Sequence, residues 1–169
     1  HNYAVVYDKE NKTISLYLEY QSVLNEINID ANYQGSGAFY IGKSADESIT
    51  PLFGNMHDFR IWTIAKTFSP ADAGMHKSVS GREMGLYRCW EMRDARGNAI
   101  TDKVSNQAMK LNAGWDVFPI GKTANLNGTD QYVELPMSNI TIDNQTDMTI
   151  EFWFKGELPQ AESCLLSNG

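Results

Sequence analysis

Cysteine and histidine are scarce in this sequence, and no long apolar run is present. The three histidines, at positions 1, 57 and 76, fall in no HxH, HExxH or Cys/His spacing, so the sequence indicates no transition-metal site. Cys89 and Cys164 are too few for a disulfide framework, and we expect both to be unpaired. Because no segment approaches the roughly 18 apolar residues of a membrane-spanning helix, no membrane span is predicted.

Clustered positive charge is also missing. The chain carries 14 Lys and Arg against 21 Asp and Glu, a formal net charge of -7. Binding to nucleic acid is driven chiefly by clustered Lys and Arg, so we expect no nucleic-acid partner. The sequence has no GxSxG elbow for a serine nucleophile, which makes an enzyme the weaker class of function.

The sequence does contain many short runs of β-forming residues separated by turn-forming residues. It is 42% hydrophobic and 11% aromatic, with 13 glycines. This pattern predicts an all-β, antiparallel two-sheet sandwich. The predicted strands are residues 3–7, 13–20, 26–30, 39–42, 57–64, 86–92, 108–111, 123–126, 131–135 and 148–155. A short helix is predicted after Ser69, because Pro70 and Asp72 suit its first turn.

The predicted strand 57–64 has two distinct faces. Phe59 and Ile61 alternate with Arg60 and Trp62, as a half-buried strand requires. Asp58 falls on the same face as Arg60, and we expect these two side chains to form a structural ion pair rather than a ligand site.

Several separated stretches resemble laminin-G-like, concanavalin A-like jelly-roll modules. They are the hairpin containing AVVYD and ISLYL, the strand FGNMHDFRIW, and the segments YVEL and TIEFWFK. The segment LYRCW, with Asp102 and Ser105 after it, is similar to a stretch that opens or links such modules. The resemblance implies an antiparallel jelly-roll β-sandwich.

The order of these stretches is reversed relative to the family. The stretches YVEL and TIEFWFK come first in the family but last here. We therefore predict parts of two tandem modules: the C-terminal half of one in residues 1–77, a bridging segment in 78–120, and the N-terminal part of a second in 121–169. The alternative is one circularly permuted sandwich.

The resemblance implies a non-catalytic recognition or adhesion module within a larger secreted, extracellular or cell-surface protein. Its partner would be a glycan or an extracellular protein, with further domains of the same chain beside it. Sugars stack on exposed aromatic rings, and Trp115, expected in the loop 112–116, is the aromatic residue predicted to be most exposed. A purely structural spacer repeat is an alternative function.

Glycoside hydrolysis is the catalytic alternative. Glu26, Asn28 and Asp30 share one face of a predicted strand, and retaining glycosidases use two nearby carboxyl groups. The strand resembles the catalytic strand of laminarinase-type enzymes, but it has Asn28 in its middle position and no further Glu after it. Glu26 and Asp30 are therefore weak catalytic candidates, and an exposed polar strand face is the simpler interpretation.

A calcium site is more plausible than a catalytic one. Hard cations prefer carboxylate, amide and carbonyl oxygens on loops, and many modules of the family bind one Ca²⁺ at such loops. We predict Asp94, Asp102 and Asn106 as ligands, with Asn98 and Asp130 in similar turns. The alternative is that these residues are simply turn formers.

Overall fold

The structure is a computed structural model that describes residues 1–28, 39–44, 46–69, 71, 77–94, 97–118, 121–135, 146–156, 163–164 and 166–168. Within this part of the chain the regular structure is strand, apart from a short 3-10 helix at Met92–Asp94. The all-β prediction is therefore confirmed. None of the described residues belongs to a helix long and apolar enough to cross a membrane.

Most of the predicted strands are present, with slightly different ends. The strands are β1 (Asn2–Asp8), β2 (Thr13–Leu18), β3 (Gln21–Asn28), β4 (Phe39–Ile41), β5 (Thr50–Pro51), β6 (Phe53–Trp62), β7 (Leu86–Trp90), β8 (Ala99–Thr101), β9 (Ala108–Asn112), β10 (Gly114–Phe118), β11 (Gly121–Asn127), β12 (Tyr132–Leu135), β13 (Met148–Gly156), β14 (Ser163–Cys164) and β15 (Leu166–Asn168).

The strands form two main antiparallel sheets. The larger sheet has the order β10-β11-β6-β13-β1-β2-β3. Strand β7 also belongs to this sheet. It pairs with residues 59–62 of β6, whereas β11 pairs with residues 53–56. The smaller sheet has the order β15-β4-β12-β9-β8, and β14 pairs in parallel with β5.

Strands from distant parts of the chain lie side by side in both sheets. In the larger sheet β13 lies between β6 and β1, with Ile150 opposite both Ile61 and Val5. In the smaller sheet β12 lies between β4 and β9. Because residues 1–77 and 121–169 share both sheets, the structure gives no support to two separate tandem modules.

Side chains from both sheets form one main hydrophobic core. Its members come from the central strands of each sheet and are almost fully buried. They include Ile41, Met56, Phe59, Ile61, Trp90, Met109, Leu111, Leu126, Val133, Ile150 and Phe152. A buried cluster shared by two sheets is the arrangement of a sandwich-like fold.

The larger sheet is also covered on its second face. Trp62, Val79, Leu86 and Cys89 form a second buried cluster there. Residues 63–69 and 77–85, here called the covering segment, contribute Val79 and hydrogen-bond to β13 through Lys66. The predicted strand is present, since residues 57–62 belong to β6, but the prediction that it is half-buried is wrong, because the covering segment buries its second face.

The predicted loop at residues 112–116 and the predicted helix after Ser69 differ in outcome. Residues 112–116 were expected as a loop, but Gly114–Phe118 is strand β10, and Trp115 in it pairs with Ala124. The helix expected after Ser69 falls largely outside the described residues, and residues 77–80 are not helical. Asp30 likewise lies outside the described residues.

The hairpin of β2 and β3 turns through two residues with left-handed backbone. Glu19 has a φ of 51° and Tyr20 a φ of 61°, as a type I′ turn requires at both central positions. Neither is glycine or asparagine, so the conformation is strained. Hydrogen bonds compensate, because the Glu19 N–H donates to the Asn2 carbonyl at 2.9 Å and the Asn2 N–H donates to Glu19 Oε1 at 3.1 Å.

Lys12, in the exposed loop between β1 and β2, has a φ of 54° and offers a test of such strain. Glycine adopts this conformation without penalty, so Lys12→Gly should raise the free energy of unfolding by about 0.5–1 kcal/mol. Urea unfolding would measure the change. Lys9→Gly is the matched control in the same exposed loop, and an equal gain from both changes would contradict the explanation.

Candidate functional site

A cluster of buried charged side chains lies on the second face of the larger sheet. Burying a charge is costly unless it is paired, and acids and bases from several strands and loops meet here. The fully or nearly buried members are Asp58, Arg60, Glu91 and Glu151, and the partly buried members are Lys66 and Lys103. Arg88 and Asp102 form a further buried ion pair beside β7, with 3.6 Å between Arg88 Nε and Asp102 Oδ2.

Arg60 connects two strands within this charge cluster. Its Nε donates to Asp58 Oδ1 at 2.8 Å and its Nη2 donates to Oδ2 of the same carboxylate. Its Nη1 donates to Glu151 Oε1 at 3.2 Å, across from β6 to β13. Burial lowers the pKa of Arg60, but the charges of Asp58 and Glu151 outweigh burial and raise it overall. The predicted Asp58 and Arg60 ion pair is confirmed.

A β-bulge places the Asp58 carboxylate against Arg60. Asp58 and Phe59 together lie opposite the single residue Phe152, and Asp58 has a φ of 56°. One left-handed residue at a bulge is a known geometry, although glycine is its usual occupant. The bulge therefore lets Phe59 enter the main core while Asp58 and Arg60 remain together on the other face.

Asp102 ties β7 to the turn that follows β8. Its Oδ1 accepts the Cys89 N–H at 2.7 Å and the Val104 N–H at 3.1 Å. Its Oδ2 accepts both the N–H and the hydroxyl of Ser105. Asn106, in the same turn, is exposed and donates its N–H to the Asp102 carbonyl. The structure brings these two predicted calcium ligands into one turn, while the side chain of Asp94 lies outside the described part.

Asp58, Cys89 and Glu91 are, among the described residues, a group whose potential metal-ligand atoms all lie within 4.8 Å of one another. Each already has a structural explanation. Glu91 accepts from Lys103 Nζ at 2.6 Å, and burial, followed by the charge of Asp58, raises the pKa of Cys89 to about 12. The thiol is thus protonated at neutral pH, and Arg60 and Lys103 balance the two acids.

A cleft of about 450 Å³ lies where the ends of several strands meet. It is lined by Asn98 before β8, by residues 111–114 from the end of β9 to the start of β10, and by Asn127, Asp130 and Gln131 from the end of β11 and the turn before β12. Most of the lining side chains are amides. Sequence reasoning missed this site because its residues are ordinary turn formers, far apart in the chain.

The turn between β11 and β12 forms a rigid wall of the cleft. Asn127 Oδ1 accepts the N–H groups of Thr129, Asp130 and Gln131 at 3.0, 3.2 and 3.2 Å. Asn127 Nδ2 donates to Asp130 Oδ1 at 2.8 Å. The tight turn predicted from Asn127-Gly128 is confirmed, and its own hydrogen bonds hold it in place.

The start of β10 also lines the cleft, through Gly114. Asn125 Nδ2 on β11 donates to Asp116 Oδ2 at 2.7 Å, which ties the two strands together. A Cβ at Gly114 would have no atom within 4 Å. The space beside Gly114 is therefore open to a ligand.

Gln131 and Phe53 differ in their place relative to the cleft. Gln131 Oε1 is buried and has no hydrogen-bond partner within the described structure. Phe53 is 53% exposed and lies opposite Asn127 in the sheet. Gln131 thus adds a buried polar acceptor to the lining. Phe53 is an exposed ring next to the turn at Gly128 and is not part of the lining.

Of the other residues that the sequence singled out, two line the cleft and two have side chains outside the described part of the structure. Asn98 and Asp130, two of the turn residues considered for calcium, both line the cleft. Trp115 follows Gly114 in β10, but its side chain lies outside the described part of the structure. The same is true of the Glu26 side chain in β3.

Comparison of the chain with protein-family models, curated proteins and solved structures found no match. The laminin-G-like resemblance therefore stays a prediction, and function has to be inferred from the cleft itself.

Replacing Arg60 should show how much this residue contributes to the stability of the charge cluster. Arg60→Leu leaves Asp58 without its bidentate partner and Glu151 with one donor fewer in a buried site, so the free energy of unfolding should fall by about 3–5 kcal/mol. Chemical denaturation would measure it. Arg82→Leu, at an exposed arginine of the covering segment, is the control and should change stability little.

Glu83 provides a pH-dependent test of the covering segment. It accepts the N–H groups of Ser80 and Gly81 at 2.6 and 3.0 Å. Partial burial raises its pKa, but these hydrogen bonds lower the pKa to about 2, from an ordinary 4.5. A lowered acid pKa stabilises the fold above pH 4.5, and this contribution disappears as the pH falls toward 2.

Glu83→Gln should therefore lower stability at pH 7 and flatten its dependence on pH between about 4.5 and 2. Thermal unfolding over this pH range would show the difference. Glu47→Gln, at an exposed acid, controls for the loss of one negative charge. Equal pH profiles for wild type and Glu83→Gln would contradict the role assigned to Glu83.

Proposed function

We propose that this chain is a non-catalytic recognition module whose amide-lined cleft binds a glycan. We further propose that its two sheets form a jelly-roll sandwich of the laminin-G-like type. The observation that carries the functional proposal is the cleft itself, where three asparagines and a glutamine surround a space of about 450 Å³. Ligand-binding clefts commonly have volumes of about 300–1,000 Å³.

Amide side chains suit sugar hydroxyls because both groups donate and accept hydrogen bonds. A buried acceptor without a partner, such as Gln131 Oε1, costs about 1–3 kcal/mol, and a ligand hydroxyl toward which the Gln131 amide turned would remove that cost. Phe53 offers an apolar face next to Asn127, on which the C–H face of a sugar ring can stack.

The lining supports binding more than hydrolysis. Asp130 is the only carboxylate among the residues that line the cleft in the described structure, whereas glycoside hydrolysis normally uses two carboxyl groups. The side chain of Glu26, the catalytic candidate on β3, lies outside the described part of the structure. The glycosidase alternative thus gains no support from this site.

Calcium and cellular setting belong to the same proposal. Asp130 and Asn98 provide oxygen atoms of the kind that Ca²⁺ prefers, and an ion there would order the turns around the cleft. We propose an extracellular or cell-surface setting within a larger chain, where a glycan ligand would be available. Binding to an extracellular protein and a purely structural spacer role are the competing functions.

A glycan array, read with and without EDTA, tests the proposal, and Gly114→Leu is the decisive variant. The leucine would occupy open space in the cleft without a backbone clash, so binding should weaken at least about tenfold, or 1.4 kcal/mol, at unchanged thermal stability. Val117→Leu, at an exposed position on the same strand, is the matched control.

The two changes together separate the competing functions. Binding lost in Gly114→Leu but kept in Val117→Leu supports the cleft. Glycan binding that both variants retain would place the site elsewhere, and no binding by wild type with or without EDTA would favour the spacer function.

A further inference from the structure

We infer that the cleft, when freed of Ca²⁺ by EDTA, selects uncharged saccharides over anionic ones such as sulfated or sialylated glycans. This inference rests on the proposed function, because it concerns the ligand class of the same cleft. It is argued from the hydrogen-bonding character and the charge of the lining residues.

Two acceptor groups of the cleft lining call for hydrogen-bond donors from a ligand. Gln131 Oε1 can only accept, and the carboxylate of Asp130 at neutral pH can only accept as well. Asp130 Oδ1 already receives Asn127 Nδ2. A sugar hydroxyl can donate to both residues, whereas an ionised sulfate or carboxylate has no hydrogen to give.

The lining also provides no positive charge. No Lys or Arg is among the described residues that line the cleft, and anionic groups are held in proteins chiefly by charge-assisted hydrogen bonds from such residues. An anion in the cleft would be placed near the like charge of Asp130. The net charge of -7 adds long-range repulsion of a polyanion.

One basic residue of a strand neighbouring the cleft has another contact. Lys43, just after β4, lies with its Nζ 4.8 Å from the ring centre of Tyr132 and 5.5 Å from that of Tyr40. Tyr132 pairs with Asn112 of the cleft, but Lys43 itself is not part of the lining. The cation is therefore held over aromatic rings outside the cleft.

The test compares uncharged tetrasaccharides of glucose and of N-acetylglucosamine with a heparin tetrasaccharide and sialyllactose, by calorimetry in EDTA at low and high salt. We expect wild type to prefer the best uncharged ligand over either anionic one by at least about tenfold. The affinity for the uncharged ligand should change less than about twofold with salt, because no ion pair is formed.

Asn112→Arg and Asn112→Ala form a matched pair at an exposed lining position. The arginine should raise affinity for the heparin tetrasaccharide and make it salt-dependent, whereas the alanine should only weaken binding of the uncharged ligand. Asn11→Arg, at an exposed asparagine in the β1–β2 loop, controls for added positive charge far along the chain from the cleft residues.

The outcomes distinguish this inference from the proposed function. Equal or tighter binding of the anionic ligands by wild type, lost in Gly114→Leu, would overturn the selectivity and leave the glycan site intact. An equal gain in heparin affinity from Asn11→Arg and Asn112→Arg would also overturn it. Binding of none of the four ligands in EDTA would overturn the inference, and binding of none without EDTA as well would overturn the function on which it rests.

Discussion

The rest of the structure depends on the pairing of buried charges between β6 and β13. Arg60 lies directly opposite Glu151, and Glu151 also accepts from Trp62 Nε1 at 3.1 Å and Lys66 Nζ at 3.2 Å. A one-residue slip of β13 would turn Glu151 toward the main core and Ile150 away from it. Because an unpaired buried charge costs several kcal/mol, this pairing fixes the register of the two central strands. It also joins two segments that are about ninety residues apart in the chain.

The register of β6 in turn positions the cleft. The first half of β6 pairs with β11, so Phe53 lies opposite Asn127, and the turn from Asn127 to Gln131 begins at that edge. Past the bulge at Asp58, the second half of β6 pairs with β7 instead. One long strand thus connects the charge cluster at one end to the wall of the cleft at the other. The cleft requires no large rearrangement to form, which lowers the ordering cost of binding a ligand.

The sequence predicted the strands better than their arrangement. Alternation located the hairpin of β1 and β2, and it located β13, because local side-chain periodicity decides those elements. It also located β6, but it did not predict that the second face of β6 is buried. The residues that cover this face, such as Lys66 and Val79, lie in a loop whose path no local pattern indicates. The cleft could not be predicted from the sequence. Asn98, Asn112 and Asn127 are residues of a type found in any turn, and they come together only through pairing between strands that are distant in the chain. Asp102 was singled out for its oxygen atoms, but backbone N–H groups use them to hold a turn.

The two regions divide the charged and the uncharged polar side chains of the fold between stability and the proposed ligand site. On the second face of the larger sheet, Arg60, Lys66 and Lys103 are matched by acids, so the charges satisfy one another and attract no ligand. In the cleft the side chains are mainly uncharged amides, which cost less to desolvate than ions and discriminate by hydrogen-bond direction. Asn127 has both a structural and a lining role. Its side-chain amide holds the turn together by hydrogen bonds and also lines the cleft. Under the proposed function, substitution at Asn112 or Gly114 would therefore change the ligand, while substitution at Asn127 would change the wall itself.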